Sequence, residues 1–421
     1  MKKYDNYKDS GIEWIREIPE HWEVKKLKFI SKICNGQDQK AVLEDDGIYP
    51  VYGSGGVFGR ANSYLFDQPS VLLGRKGTID RPQYVEEPFW TVDTSYYTKI
   101  REGFSVRLFY YLCTTINFDL YKYGSAIPSM TQGHLNEIKF SIPNTLDEQT
   151  IIANYLDYKT TQIDTLITKK EQFISLLQEE RTALINQAVT KGLDPTVKMK
   201  DSGIEWLGEI PEHWVEARIK NVVNVIGRIG FRGYTVADLV QKGEGAISLS
   251  PSNIKNHLLN IDDCTYLSWE KYHESPEIKI YENDIVLVKT GSTIGKTAII
   301  PANTPEMTLN PQLVVFKDIK LNPLFLYYMM VSNYFQGYFS IYTAGGSTPA
   351  ISQEKINNFK ITFPKIEEQI QISNFIAKKE LEIKSIITKS QLEIELLKEY
   401  KTALISEVVT GKVDVRETIL N

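Results

Sequence analysis

Residues 8–22 read KDSGIEWIREIPEHW, and residues 200–214 read KDSGIEWLGEIPEHW. The two copies differ only at Ile15/Leu207 and Arg16/Gly208. A self-similarity of this length must be settled before any local reading, because it decides the architecture. A second pair follows: PNTLDEQ at 143–149 and PKIEEQ at 364–369. From Gln149 and Gln369 onward the halves align without a gap. They converge again at TALI (182–185 and 402–405) and at Val189-Thr190 and Val409-Thr410. The chain is one plan written twice.

The segments after each Pro…Glu-Gln motif have the spacing of long helices. Leu156, Ile163, Leu177 and Leu184 fall on a seven-residue repeat that Lys170 interrupts, and Ile167, Ile174 and Ala188 interleave with them. In the second copy Ile376, Ile383, Leu397 and Leu404 alternate with Ile387, Ile394 and Val408. This is the seam of a coiled coil. No proline or glycine interrupts 147–190 or 367–410. Asp147-Glu148 and Glu367-Glu368 place negative charge at the helix starts, where the helix dipole favours it. At ~1.5 Å per residue each helix would reach roughly 65 Å. The alternative is an ordinary core-facing helix, but those average ~11 residues.

Between the repeats lie two variable regions, 23–142 and 215–363. They are rich in β-branched and aromatic residues and in turn formers, as in IYPVYGSGGVFGRANSYLF (48–66), PSVLLGRKGTI (69–79) and ENDIVLVKTGSTIG (282–295). Such runs predict strands. Short apolar helices are predicted at 105–117 and 323–335. The expected fold is α+β: two globular strand-rich domains in a pseudo-two-fold tandem repeat, separated by two long antiparallel coiled-coil helices. The expected boundaries are 1–142, 143–194 (first spacer helix), 195–363, and 364–421 (second spacer helix and tail).

Composition narrows the class. Hydrophobic residues make up 42% and charged residues 24% of the 421, as in soluble globular proteins. Tyrosine occurs 24 times, which suits interfaces that are apolar at one end and wet at the other. No apolar run reaches the ~18 residues of a membrane span, and MKKYDNYKDSG carries no secretory core. Cys34, Cys113 and Cys264 are scattered, with no spacing for zinc or a disulfide framework, so a cytoplasmic location is expected. The net charge of −5 argues against a simple electrostatic DNA binder. A DNA role therefore needs local basic loops or a partner that supplies phosphate contacts.

The layout resembles the specificity subunits of Type I restriction–modification systems. GIEWIREIPEHW at 11–22 and its copy at 203–214 look like that family's proximal conserved segment. Each variable region ends in a small-residue turn and a strand leading to Pro…Glu-Gln: Gly124-Ser125-Ala126-Ile127-Pro128-Ser129 before Pro143, and Gly345-Gly346-Ser347-Thr348-Pro349-Ala350 before Pro364. The turn Gly77-Thr78-Ile79 also corresponds to Ser292-Thr293-Ile294-Gly295. The resemblance implies two target-recognition domains, each reading half of a split asymmetric site on double-stranded DNA. Helices would set the half-site spacing and dock two adenine-N6 methyltransferase subunits, and restriction/translocase subunits would join them. It implies a non-catalytic chain with no cofactor of its own; S-adenosylmethionine, ATP and Mg²⁺ would belong to the partners. Half-sites on one DNA face lie about one helical turn, ~34–36 Å, apart, a span such helices can bridge. Phosphate contacts position while base contacts specify, so a partner's clamp would also answer the charge objection.

The candidate DNA-contacting residues lie in Gly-rich turns with polar or basic side chains. They are Ser54 with Arg60, Asn62 and Tyr64; Arg75 and Lys76; Arg228, Arg232 and Tyr234; Ser252 and Asn253; and Lys289 and Thr290. Arginine can pair with guanine, Asn or Gln with adenine, while Ser or Thr is adaptable. For each the alternative is a solvated surface turn. Ser129, Ser347 and Thr348 lie in segments repeated in kind, which fits a structural or general backbone-contact role. Sequence reading should fall where the halves differ. The expected partner dock combines Trp14, Trp22, Trp206 and Trp214 of the motifs with Lys169, Glu180, Lys379 and Glu395 of the helices. Trp22 and Trp214 can instead pack each domain start against the helices, with His21 and His213 bonding locally. Two other readings stay open. Residues 291–297, GSTIGKT, approach a phosphate-binding loop, but the first glycine is one residue too close and the other half lacks Gly-Lys-Thr. A nucleotide-dependent enzyme is thus one alternative, and a coiled-coil scaffold for proteins or glycans another.

Overall fold

Two helices, Leu146–Lys191 and Ile366–Val409, dominate the computed structural model, which describes residues 2–124, 127–228, 230, 233–343 and 349–418. Each extends one residue N-terminal to the predicted start. The seven-residue series faces inward. Leu156, Ile163, Ile167, Leu177, Ala188, Ile376, Ile383, Ile394, Leu404 and Val408 are buried, and Ile174, Leu184, Ile387 and Leu397 are half-buried. Lys170, the exception in the apolar series, sends its ammonium to Glu393.

The chain divides into two compact units, and the division runs through both helices. The first comprises Met1–Gln172 with Ser390–Asn421, the second Phe173–Lys389. Within the first unit, Lys170 pairs with Glu393 and Asp164 with Lys401 at 2.7 Å. Stepping back along one helix steps forward along the other, so the helices run antiparallel there. Within the second unit, Arg181 pairs with Glu380.

The two units repeat one strand plan. In the first, a four-stranded sheet has the order Ser31–Asn35, Ser95–Ile100, Ser70–Gly74, Gln83–Val85. In the second the order is Asn224–Gly227, Leu313–Lys317, Ile285–Val288, Thr297–Ile299. Beside each lies a second sheet, three-stranded in the first unit and four-stranded in the second, with one parallel pair: Val51 opposite Trp90 in the first unit, Leu249 opposite Leu309 in the second. The strands entering and leaving each domain also pair, Trp22–Lys26 with Lys139–Pro143 and Val215–Arg218 with Lys360–Phe363. The repeated motifs form short hairpins, Tyr7–Asp9 with Glu17–Pro19 and Met199–Asp201 with Glu209–Pro211.

The apolar helices are shorter than predicted. The first is Val106–Thr114. The second runs Pro323–Val331, stops, and restarts as Asn333–Thr343. The break is at Ser332, whose backbone is extended and whose hydroxyl donates to the Met329 carbonyl. The Asn333 N–H then donates to Asn186 of the first long helix at 2.7 Å, so a tertiary acceptor ends the predicted continuous run.

Candidate nucleic-acid interface

Four chain segments meet at the strand ends of each unit. In the first, the Arg75 and Lys76 amides donate to the Thr94 carbonyl at 2.8 and 3.2 Å, and the Gly77 amide donates to Pro128 at 3.0 Å. The Met130 amide returns to Arg75 at 2.9 Å, and the Val92 amide donates to Tyr52 at 3.0 Å. The second unit repeats these bonds. Lys289 donates to Gln312 at 2.8 Å, Gly291 to Pro349 at 2.8 Å, Ile351 to Lys289 at 2.9 Å, and Asn310 to Leu249 at 2.9 Å. One backbone frame is therefore built twice, with Arg75 and Lys289, Lys76 and Thr290, and Thr94 and Gln312 in equivalent places. The glycines are part of it. Gly77 and Gly291 have φ of +84° and +105°, where a side chain is strained. A Cβ on Gly77 would also stand 3.2 Å from the Ser54 hydroxyl, so its absence lets those two loops meet.

The frame gathers some of the predicted residues. Ser54, Arg75, Lys76 and Ser129 belong to it in the first unit, and Lys289 and Thr290 in the second. Ser252 is attached through Ser250, the two hydroxyls being 2.7 Å apart. Lys76 and Ser252 are exposed; Arg75 is half-buried, with its guanidinium on the Asp93 carbonyl at 3.3 Å. Ser129 is buried and bonded through its backbone to Tyr123.

Other predicted residues stand elsewhere. Arg60 pairs with Pro50 while Gly56 pairs with Gly53, four residues along the strand, so it lies roughly 13 Å from the turn. Arg60 donates to the Ile48 carbonyl, Asn62 is exposed, and Tyr64 packs edge-on to Tyr49. Tyr234 is half-buried, its hydroxyl accepting from Ser248. Arg232, Ser347 and Thr348 lie outside the described residues.

Two expectations are corrected. Arg228 is buried, and its guanidinium donates to the Leu309 carbonyl at 2.8 Å and to the Thr308 hydroxyl at 3.1 Å. Loss of water around it pulls its pKa down from the ordinary arginine value. It supports the frame from behind and offers no fork to a base. Asn253 is also buried; its carbonyl accepts from Ser250, and its amide nitrogen donates to Asn260 and Asp263. That amide is used within the fold.

The sequence reading missed Thr94, Asn310 and Gln312. Their signal lies in the parallel strand that each follows. Residues 291–297 join Ile285–Val288 to the antiparallel strand Thr297–Ile299, closed by bonds between Val288 and both Gly295 and Lys296. A phosphate loop needs a helix behind it, and here a strand follows. Among the described residues no His/Cys/Asp/Glu group could hold a metal, and no helix is long and apolar enough to cross a membrane.

The repeated motifs have an internal use. The Trp22 indole donates to Glu148 at 3.0 Å, and His21 reaches the same carboxylate at 2.9 Å. Trp214 and His213 meet Glu368 at 3.1 and 2.8 Å. The next glutamine fastens the short helix: the Ser105 amide donates to Gln149 and the Asn322 amide to Gln369, both at 2.8 Å. Each Gln amide also donates to the proline carbonyl before its helix, Pro143 or Pro364. Pro-Glu-His-Trp and Glu-Gln are thus two halves of one joint. Trp22 and Trp214 are buried in it, which corrects their place in a partner dock. Trp14 is 53% exposed beside an apolar groove lined by Ile12, Ile116 and Leu120. Trp206 stays partly exposed but donates to the Tyr334 carbonyl and packs on Tyr338. Lys169, Glu180 and Glu395 are exposed, and Lys379 pairs with Glu382.

A duplicated α+β domain joined by paired long helices is an architecture shared with known proteins. The family described as "Type I restriction modification DNA specificity domain" matches residues 19–175 and 211–396, so the chain belongs to that family. It is 24% identical to the Type I restriction enzyme MjaVIII specificity subunit of Methanocaldococcus jannaschii, over 98% of this chain and 97% of that one. The fold resembles that of the HsdS subunit from Thermoanaerobacter tengcongensis, with a TM-score of 0.54 at 12% identity, covering 94% of this chain and 98% of that one. A chain solved in work on complex assembly and conformational transition of the type I R-M system gives 0.67 at 12% identity, covering 94% and 99%. The protein is a specificity subunit of a Type I restriction–modification system.

Proposed function

We propose that each unit reads one half of a bipartite, asymmetric site on double-stranded DNA through its four-segment frame. The two long helices set the separation of the half-sites and dock two adenine-N6 methyltransferase subunits, to which restriction/translocase subunits add. The chain acts in the cytoplasm and carries out no chemistry; S-adenosylmethionine, ATP and Mg²⁺ are held by the partners. The observation that carries this reading is the frame itself, one backbone presented twice with different polar side chains at matching places. Two unlike half-sites need two readers with a common mount.

The helix exteriors favour the dock. Leu166 and Ile386 occupy equivalent places and are 43% and 40% exposed; Leu176 and Leu396 likewise are 60% and 54% exposed. Each unit thus leaves a pair of apolar side chains open, Leu166 and Leu396 in the first and Leu176 and Ile386 in the second, which suits two copies of one partner. Lys169 and Glu395 in the first unit and Glu180 in the second are their exposed polar neighbours. Trp14 extends the proposed surface onto the first motif, and Trp206 onto the second.

The test is a map of N6-methyladenine in a clean host expressing the chain with its methyltransferase, with and without this chain. A split motif that needs the chain is the expected result. Exchanging residues 23–142 for those of another specificity subunit should change one half of that motif and leave the other intact. Methylation that is independent of the chain overturns the reading.

A further inference from the structure

The two frames differ most usefully where Thr94 stands in one unit and Gln312 in the other. The Gln312 side chain is exposed, and its orientation is fixed by a chain of bonds that begins at the backbone. The Gln312 N–H, which can only donate, gives its hydrogen to Asn310 Oδ1 at 2.6 Å. Asn310 therefore turns its Nδ2 outward, and that nitrogen donates to Gln312 Oε1 at 3.3 Å. The amide of Gln312 is thus set with one oxygen lone pair used, one free, and both Nε2 hydrogens unspent among the described residues. Nε2 stands 3.8 Å from where a Cβ of Gly291 would be, so the missing side chain leaves that edge open. The strand end that carries Gln312 is held on both sides, by the Lys289 amide on its carbonyl and by the Asn310 amide on Leu249.

A pre-oriented amide on a rigid mount offers a donor and an acceptor side by side. Adenine presents the complement in the major groove, an N6–H donor beside the N7 acceptor. Guanine places two acceptors there, one of which would face Oε1. We infer that Gln312 is a specificity-determining residue that selects adenine at one fixed position of the half-site read by the second unit. The inference rests on the half-site reading proposed above. Thr94, at the equivalent place, carries a hydroxyl that both donates and accepts and so discriminates less. Lys289 and Thr290, bonded into the same frame, hold the backbone of that site without fixing this base.

The test uses the complete complex in cells, reading N6-methyladenine across the host genome for the wild type, Gln312→Ala and Gln312→Thr. The wild type should show an invariant adenine in one half-site. Gln312→Ala should make that single position degenerate, lowering its preference by about tenfold to a hundredfold, with every other position unchanged. Gln312→Thr, which copies the other unit's residue, should do the same with methylation retained. An unchanged motif in both variants overturns the inference and leaves the half-site reading standing. Loss of methylation in both also overturns it, since the residue would then hold the fold and not read a base. A wild type with no motif that depends on the chain removes the half-site reading, and this inference with it.

Discussion

The joint of the first unit and the joint of the second use the same parts but are closed differently. In the second, helix end, linker and motif are continuous: Gly192 ends the first long helix and Trp214 follows it in the chain. In the first, the corresponding partners come from distant parts of the sequence, residues 2–7 and 411–416. The Asp414 amide donates to the Lys2 carbonyl at 2.9 Å, and Tyr7 donates to the Gly411 carbonyl at 3.1 Å. Arg416 lies over the Tyr4 ring, whose hydroxyl adds a third donor to Glu148. Burial pushes the Tyr4 phenol well above its ordinary pKa and the Glu148 charge pushes it further, so Tyr4 stays a donor. The comparison teaches that one joint is closed along a continuous stretch of chain, while the other is closed by non-covalent contacts between segments far apart in the sequence.

The sharpest way to break the comparison is to remove the tryptophan from each joint. Trp22 and Trp214 are both fully enclosed, and truncating either to alanine should cost its unit about 3–5 kcal/mol, measured by denaturant unfolding. The two variants should differ in what else is released. Trp22→Ala should also free residues 2–9 and 412–418 to hydrogen exchange, because Trp22 packs on Tyr4 and abuts Gly411. Trp214→Ala should leave both termini protected. Equal protection of the termini in the two variants would mean that the chain ends are held by something other than this joint.

A smaller difference should appear at the glycines that end the helices. Gly192 and Gly411 have φ of +72° and +74°, so alanine at either costs about 1–2 kcal/mol for the left-handed backbone. Beyond that the sites diverge. A Cβ on Gly192 meets the Glu368 carboxylate at 3.2 Å, a side-chain end that can give by a few tenths of an ångström, whereas on Gly411 it would fall 2.3 Å from the Pro19 ring. Gly411→Ala should therefore cost about 1–3 kcal/mol more than Gly192→Ala, the range for overpacking a filled site. Thermal unfolding of the two variants measures it, and equal costs would show that Pro19 gives way.

The parts legible in the sequence were those that repeat or recur at a fixed period. The duplicated motif and the heptad series needed no tertiary knowledge, and the paired helices follow from them. The joint was only half legible: packing was the alternative to a partner dock for Trp22, but its acceptor, Glu148, looked like a residue placed for the helix dipole. Contacts spanning 126 positions leave no local trace. The frame was hidden for a related reason, since Thr94 and Gln312 reach it by continuing antiparallel registers, Ser95 opposite Gly74 and Leu313 opposite Val288, between strands far apart in the chain. Arg228 shows the opposite failure. An arginine in a Gly-rich turn resembles a DNA contact until its carbonyl partner, Leu309, is known.

The smallest effect concerns pH and the first joint. Burial alone would raise the Asp414 carboxyl, but hydrogen bonds from the Arg416 side chain and backbone, together with its charge, hold it below the usual aspartate range. The two guanidinium bonds are 2.9 and 2.8 Å long. A carboxyl whose folded pKa lies below its unfolded value, ~3.9, stabilises the fold fully above that value. The contribution is lost as pH falls through the folded value. Asp414→Asn should therefore cost the first unit about 1 kcal/mol at neutral pH, and the gap from wild type should close below about pH 4. The second unit provides the control, because its linker is covalent there and does not depend on this pair. Protection of the termini from hydrogen exchange, followed from pH 7 downward in both proteins, measures the effect. A gap that persists unchanged into acid would mean that Asp414 acts through its shape and not its charge. The first joint would then be held closed by packing of Val413 and Val415, both buried.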